Sequence, residues 1–118
     1  MSFYEELKIK MHYFVKDVYK ASKFFPKDEL YGIISQLRRA SLSVILNFIE
    51  GYARRKGDKC KVFKNFLEIS YGSLKESKYL IYFSYTENFI DKDNYEKLIS
   101  SADEIGKMLW NIIDKHKV

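Results

Sequence analysis

The sequence predicts an all-α protein, an antiparallel up-down-up-down four-helix bundle. Apolar residues recur at steps of three and four in four successive segments, a single proline interrupts the chain, and no segment alternates with the period of a strand. Short connections between long helices favour antiparallel neighbours. We therefore expect one domain over residues 1–118, with helices at about residues 3–23, 28–55, 59–86 and 92–115.

The first predicted helix has an apolar series that stops before a proline. Pro26 disfavours helical backbone in Phe25, so the first helix ends ahead of this pair. Asp28 and Glu29 then begin the second helix, where carboxylates complement the free amide groups of a helix N-terminus. The apolar series of the first helix is Leu7, Met11, Phe14, Val18 and Ala21.

The second predicted helix carries more apolar surface than its own bundle would bury. A surface helix needs only one apolar stripe, so we expect this helix to contact both its bundle and another subunit. Its narrow polar stripe consists of Gln36, Arg39, Ser43, Asn47, Glu50 and Arg54. Its apolar residues include Ile34, Leu37, Val44, Ile45, Leu46, Phe48 and Ile49.

The third and fourth predicted helices also have clear apolar series. Gly57 ends the second helix, and Asp58 is the predicted N-cap of the third. Gly72, inside the third series, is compatible with a close helix crossing or with a neutral position. The third series is Phe63, Leu67, Ser70, Leu74, Ser77 and Ile81, with Phe66 as an alternative to Leu67. The fourth is Leu98, Ala102, Ile105, Leu109 and Ile112.

Composition and charge restrict the classes of function. The lone Cys60 excludes an internal disulfide, and with no signal-like or membrane-spanning segment we expect a cytoplasmic protein without a membrane partner. The net charge is +5, but residues 87–118 hold five basic and seven acidic groups, so the excess lies in the rest of the chain. This asymmetry suits a surface facing a polyanion, an ordinary solvated surface, or a contact between subunits.

The sequence contains no catalytic motif. His12 and His116 are the only histidines, and neither occurs in an HExxH or ExxH context. The chain also lacks a glycine-rich phosphate loop, a GxSxG motif and an acidic metal cluster. We therefore expect a non-enzymatic protein with no catalytic residues, no cofactor and no metal.

A basic cluster surrounds the turn between the second and third helices. Exposed cations bind phosphate without a defined spacing, so the cluster is the candidate nucleic-acid-binding site; the alternative is a solubilising basic loop. The 10 tyrosines and 9 phenylalanines offer stacking surfaces for bases, but their helical spacing favours core and interface positions. The cluster consists of Arg54, Arg55, Lys56, Lys59, Lys61 and Lys64.

A second set of polar residues is interpreted as a structural network or subunit interface. A stripe with both signs of charge favours internal hydrogen bonding over a phosphate track, because an uncompensated buried charge is very costly. Arg38 points toward the apolar side, where we expect Glu68 or Glu76 of the third helix as its partner. The set consists of Gln36, Arg38, Arg39, Asn47, Glu50 and Glu76.

Three blocks resemble one family, in the same order along the chain. They are FPKDELYGIISQLRRASLSVILNFIEGYARR, FKNFLEISYGSLKE and KMLWNIID. On these blocks the chain resembles the four-helix-bundle proteins encoded in bacterial 23S ribosomal RNA intervening sequences. That family is similar to the accessory variability determinant protein of diversity-generating retroelements, a basic pentameric barrel that works with a reverse transcriptase and binds nucleic acid.

The resemblance implies a homopentameric barrel with RNA or DNA as a possible partner, and it does not imply an enzyme. The family's name records where such genes were found, and it defines no physiological role for the protein. We therefore expect a basic nucleic-acid-binding accessory module. The alternative is a protein-interaction scaffold that docks a reverse transcriptase or another protein.

Overall fold

Four long α-helices form the bundle in the computed structural model, which describes residues 1–55 and 60–116. Tyr4, near the start of α1, contacts Tyr52 near the end of α2, and Tyr85, near the end of α3, stacks on Tyr95 near the start of α4. Sequential helices are therefore antiparallel in a rod of 46 × 25 × 22 Å. The predicted all-α four-helix fold is confirmed, with no strand among the described residues. The helices are α1 (Phe3–Ser22), α2 (Ser35–Ala53), α3 (Lys61–Thr86) and α4 (Lys92–Lys115).

One hydrophobic core runs along the bundle axis and takes side chains from all four helices. The residues that the apolar series select are those that pack inward, because a helical step of three or four returns to the same face. Among the described residues, no buried side-chain nitrogen or oxygen lacks a hydrogen-bond partner. The largest fully buried side chains include Phe14, Phe48, Phe63, Leu7, Met11, Leu37, Leu67, Leu74, Ile81, Ile105 and Leu109.

Polar residues define several helix ends. Ser2 accepts a hydrogen bond from the Glu5 amide to cap α1, and Asp91 accepts one from the Asn94 amide to cap α4. Asn88, with φ of 63°, turns the chain after α3. The amide of Phe89 donates to the Ser84 carbonyl at 2.8 Å, and that of Asn88 donates to the Tyr85 carbonyl at 3.0 Å, which is a Schellman motif.

The segment predicted as one helix over residues 28–55 is divided by a kink. A 3-10 turn at Lys27–Glu29 and a π-helical turn at Leu30–Ile34 precede α2. Gly32 has φ of −109° and ψ of −111°, outside the helical region. A Cβ atom at this position would lie 3.0 Å from a carboxylate oxygen of Glu29. The chain therefore bends at Gly32, which the helical series did not predict.

Small residues bring α2 and α3 close together. A Cβ atom added to Gly51 would lie 2.7 Å from the Phe66 Cβ, so the two backbones approach closely at this glycine. Further along, Ser70 donates its hydroxyl to the Val44 carbonyl at 2.6 Å. Gly72, in contrast, has nothing within 4 Å of an added Cβ. Of the two interpretations of Gly72, the neutral position is therefore correct, and Gly51 marks the close crossing.

Candidate nucleic-acid interface

Four basic residues lie where α2 ends and α3 begins, and we call this group the cationic end. It consists of Arg54, Arg55, Lys61 and Lys64. The predicted Lys56 and Lys59 lie outside the described residues, as do Gly57 and Asp58, the predicted stop and N-cap. The antiparallel packing places the start of α1 and the end of α4 at this same end of the bundle, since Tyr4 contacts Phe63, and Phe63 contacts His116.

Arg55 is the most distinctive member of the cationic end. Its guanidinium carbon lies 4.1 Å from the ring centroid of Tyr52 and 5.4 Å from that of Tyr4. The residue is exposed, and it forms no ion pair with any described residue. A guanidinium that stacks through its face keeps its N–H donors at the edges. Arg55 is therefore positioned against two rings, and its side chain makes no hydrogen bond or ion pair to another described residue.

An aromatic cluster fixes the position of the rings beneath Arg55. Tyr4 stacks on Phe48 with ring centroids 6.3 Å apart, and its ring also contacts Phe63 at 6.2 Å. Phe48 and Phe63 are almost fully buried, whereas Tyr52 is 40% exposed. Tyr4, one of the two rings beside Arg55, is thus anchored on the core. Tyr4 and Tyr52 were not predicted as site residues, although Tyr52 lies three positions before Arg55, a spacing at which helical side chains meet.

The other three cations differ in whether an acidic side chain pairs with them. Arg54 donates from Nε to the Glu50 carboxylate at 2.6 Å, and its guanidinium carbon lies 5.5 Å from the Phe66 ring centroid. Lys64 lies 3.6 Å from the carboxylate of Glu68. Lys61 is exposed and forms no ion pair within the described part of the chain. Arg55 and Lys61 therefore supply the uncompensated charge of the cationic end.

The polar stripe of α2 is only partly a hydrogen-bond network. Asn47 donates from Nδ2 to both the carbonyl and the hydroxyl of Ser43 at 2.9 Å, and Ser43 is hydrogen-bonded to Ser73 of α3 at 2.7 Å. Glu50 belongs to the adjoining pair with Arg54. The remaining predicted members, Gln36, Arg39 and Glu76, are exposed and make no side-chain hydrogen bond to another described residue. Their role at a subunit interface stays a prediction.

The predicted partner of Arg38 is wrong. The Nε of Arg38 donates to the Ser22 hydroxyl at 2.8 Å, and the Arg38 guanidinium carbon lies 4.6 Å from the Tyr19 ring centroid. Both partners belong to α1, whereas the expected partners Glu68 and Glu76 belong to α3. Arg38 lies on the side of α2 that faces α1, so the α1–α2 hairpin provides its partners.

The described residues contain no group of three or more His, Cys, Asp or Glu side chains arranged to hold a metal ion. None of the helices within residues 1–55 and 60–116 combines the length and hydrophobicity required to cross a membrane. His116 is hydrogen-bonded through Nδ1 to the Ile112 carbonyl at 2.8 Å and packs edge-on against Phe63, which accounts for its position at the end of α4.

Comparison with known proteins places this bundle in a family. The sequence model for the 23S rRNA-intervening sequence protein matches residues 6–111. The chain belongs to the 23S rRNA-intervening sequence protein family. The matched range contains all of α2 and α3, so the cationic end lies inside the family's domain. A search of curated proteins finds no match.

A solved structure has the same architecture as this family member. It is the crystal structure of a protein of unknown function from the S23 ribosomal protein family of Bacteroides thetaiotaomicron. The TM-score is 0.84 at 22% sequence identity, and the alignment covers 96% of this chain and 99% of that chain. At this level of identity the likeness establishes the shared fold alone.

Proposed function

We propose that this member of the 23S rRNA-intervening sequence protein family is a non-enzymatic nucleic-acid-binding module that contacts phosphate groups through its cationic end. The observation that carries the proposal is the position of Arg55, stacked on Tyr52 at 4.1 Å with no carboxylate partner among the described residues. An arginine held in this way offers a planar fork of donors that matches the geometry of a phosphate. Lys61 adds a second exposed cation at the start of α3.

Self-association would strengthen this binding surface. On α2, Leu46 is 58% exposed and Ile49 is 43% exposed; on α3, Val62 is 45% exposed and Ile69 is 51% exposed. Apolar side chains exposed at this level on adjacent helices favour burial against another subunit. We propose a homo-oligomer, with the pentamer that the family resemblance implies. Repetition of the cationic end in such an assembly raises avidity for a polyanion without any new contact.

The experiment is a salt titration of oligonucleotide binding with charge-matched variants. Fluorescence anisotropy would measure the Kd for labelled single-stranded RNA and DNA between 50 and 300 mM salt, two limits chosen to bracket ~150 mM physiological ionic strength. For the Arg55→Ala/Lys61→Ala variant we expect a weaker Kd and a log–log salt slope lower by about 1.4, since each lost phosphate contact on a single strand removes about 0.7.

The matched control removes the same charge at the other end of the bundle. Lys23 follows α1 and Lys27 lies in the turn before α2; both are exposed. They lie a whole helix away from the cationic end, about 30 Å for a helix of 20 residues. The Lys23→Ala/Lys27→Ala variant should retain the wild-type Kd and slope. Absence of binding at low salt, or equal losses in both variants, would refute the proposal.

A protein-interaction scaffold is the second candidate, and the exposed apolar residues of α2 and α3 favour it. In this case these residues would be covered by a reverse transcriptase or another protein, in addition to a second copy of the chain. Native mass spectrometry of untreated and nuclease-treated protein distinguishes the candidates by subunit number and retained nucleic acid. A stoichiometric foreign protein without nucleic acid would favour the scaffold. Leu46→Gln should lower the subunit number if α2 forms the interface between copies.

A further inference from the structure

A second surface combines aromatic rings with cations, along the groove between α3 and α4. The groove has a volume of about 380 Å³, and Trp110, which is 50% exposed, forms part of its wall. Tyr71 packs against this indole with ring centroids 5.6 Å apart at 46°. Gly106 also lines the groove. Trp110 is therefore half accessible, and its indole contacts a second ring.

Three lysines line the same groove, and their environments differ. Lys78 forms an ion pair with Asp103 at 2.5 Å, so these two charges compensate each other. Lys75 has its ammonium 5.2 Å from the Tyr71 ring centroid, and both Lys75 and Lys107 are exposed without an ion pair to any described residue. The groove therefore carries two uncompensated positive charges, one on each helix, beside the pair formed by Tyr71 and the exposed Trp110.

Flat aromatic surfaces flanked by cations are the chemistry of single-stranded nucleic-acid binding, because bases stack on the rings while cations contact the phosphates. We infer that the α3–α4 groove binds a single-stranded nucleic acid, with one base stacked on Trp110 and the neighbouring phosphates held by Lys75 and Lys107. This inference deepens the proposed nucleic-acid binding and rests on it. It assigns both base stacking and phosphate contact to the groove. The cationic end contacts phosphates only.

The groove is continuous with the cationic end along one face of α3. Lys64, Tyr71, Lys75 and Lys78 are separated by seven, four and three residues, which places them on one side of the helix. Seven residues correspond to about 10 Å along the axis, so a strand bound at Lys64 reaches Tyr71 within a few nucleotides. Glu68 lies between them, but its carboxylate is 3.6 Å from Lys64 and partly neutralised by it.

The single tryptophan of the chain makes the inference directly measurable, since all intrinsic indole emission comes from Trp110. Titration with an oligothymidylate at low salt should quench this emission, because a base stacked on the indole provides a path for deactivation. The matched probe is an abasic strand of equal length, which has the same phosphates and no bases. It should bind more weakly and leave the emission nearly unchanged. Equal quenching by both strands would overturn base stacking on Trp110.

Variants test the two parts of the groove separately. By anisotropy, Trp110→Ala should weaken binding of the oligothymidylate roughly 5- to 100-fold, the loss expected for one stacked base, whereas Trp110→Phe should retain most of the affinity. Lys75→Ala/Lys107→Ala should lower the salt slope by about 1.4, and Lys23→Ala/Lys27→Ala should not. If circular dichroism shows that Trp110→Ala unfolds the protein, the quenching titration and the lysine variants still decide the question.

The outcomes separate this inference from the proposed function. Salt-dependent binding that requires Arg55 and Lys61 but leaves Trp110 emission unchanged would overturn the groove and retain the function. Absence of oligonucleotide binding at low salt would overturn both. Emission that changes with protein dilution alone, together with a lower oligomeric mass for Trp110→Ala, would show that a second copy of the chain occupies the groove, and would also overturn the inference.

Discussion

Gly51 of α2 lies so close to Phe66 of α3 that a Cβ atom on the glycine would be 2.7 Å from the Phe66 Cβ. No pair of non-bonded carbon atoms tolerates that separation, so a side chain at position 51 forces the two helices apart. The Phe63 ring, also on α3, lies 3.3 Å from the same point and further limits relaxation. The close crossing of α2 and α3 therefore depends on this glycine.

Gly51→Ala should destabilise the protein. Alanine gains up to about 1 kcal/mol of helix propensity over glycine, but overpacking of a well-filled core costs about 1–3 kcal/mol, so we expect a net loss of about 1 kcal/mol. Urea denaturation followed by circular dichroism measures the free energy of unfolding. Gly72→Ala is the control, since its Cβ meets nothing within 4 Å; it should stabilise the protein by up to about 1 kcal/mol. Equal effects of both substitutions would contradict the assigned crossing.

Asn88 provides a second test of stability, at the end of α3. Its φ of 63° is disfavoured for side chains other than those of asparagine and aspartate. Asn88→Gly should stabilise the fold by up to about 1 kcal/mol, and Asn88→Ala should destabilise it by about 1 kcal/mol. Thermal denaturation of the three proteins would show the order Gly, Asn, Ala. Alanine at least as stable as asparagine would argue against the left-handed turn.

Tyr52 is predicted to position Arg55 without contacting nucleic acid itself. Tyr52→Phe keeps the ring and should retain the wild-type Kd for an oligonucleotide. Tyr52→Ala removes the ring and should weaken binding about 2- to 5-fold, the equivalent of a cation–π interaction of about 0.5–1 kcal/mol. Its salt slope should stay unchanged, because the number of cations is the same. A slope reduced as far as in Arg55→Ala would assign Tyr52 a different role.

The ion pair between Lys10 and Glu104 joins α1 to α4 at 2.5 Å. The hydrogen bond to Glu104 raises the pKa of Lys10 above 10.5. Desolvation opposes this rise, and attraction to the carboxylates of Glu104 and Glu6 adds to it. A pKa raised by folding means that the pair's contribution to stability is complete at neutral pH and is lost as the pH rises through the folded-state pKa.

Glu104→Gln should therefore bring the pKa of Lys10 back toward 10.5. An NMR titration of the lysine side-chain signals between about pH 9 and 12, a window around the ordinary lysine value, measures this change. Glu96→Gln is the control, since Glu96 lies 3.9 Å from Lys92 and not beside Lys10. A Lys10 pKa that is the same in wild type and Glu104→Gln would show that the pair does not form in solution.

The buried core residues could be predicted from the sequence, because burial in a helical bundle follows local periodicity. The residues at helical steps in α1, from Leu7 to Val18, and in α4, from Leu98 to Ile112, are buried as the pattern indicates. The apolar excess of α2 was equally visible, and Leu46 and Ile49 remain exposed on the single chain. The kink at Gly32 was not predicted, because neither its φ and ψ nor its approach to Glu29 follows from the spacing of apolar residues.

The candidate site was only partly predictable. The basic residues around the α2–α3 turn stand together in the sequence, and the pairs Glu50–Arg54 and Lys64–Glu68 have the i,i+4 spacing of one helix. The contact of Arg55 with Tyr4 does not follow from the sequence, because Tyr4 lies on α1. Arg38 shows the same limit, since its partners on α1 depend on which side of α2 faces that helix.

The sequence by itself determined the helical class, the inward face of each helix and the location of the basic cluster, since these depend on residue type and on steps of three or four along one helix. Only the tertiary structure decided that Arg55 contacts Tyr4 of α1, that Gly51 forms the close crossing, and that Trp110 and Tyr71 meet beside two lysines that are 32 positions apart in the chain. Those relations join different helices, and their geometry is set by how the helices pack.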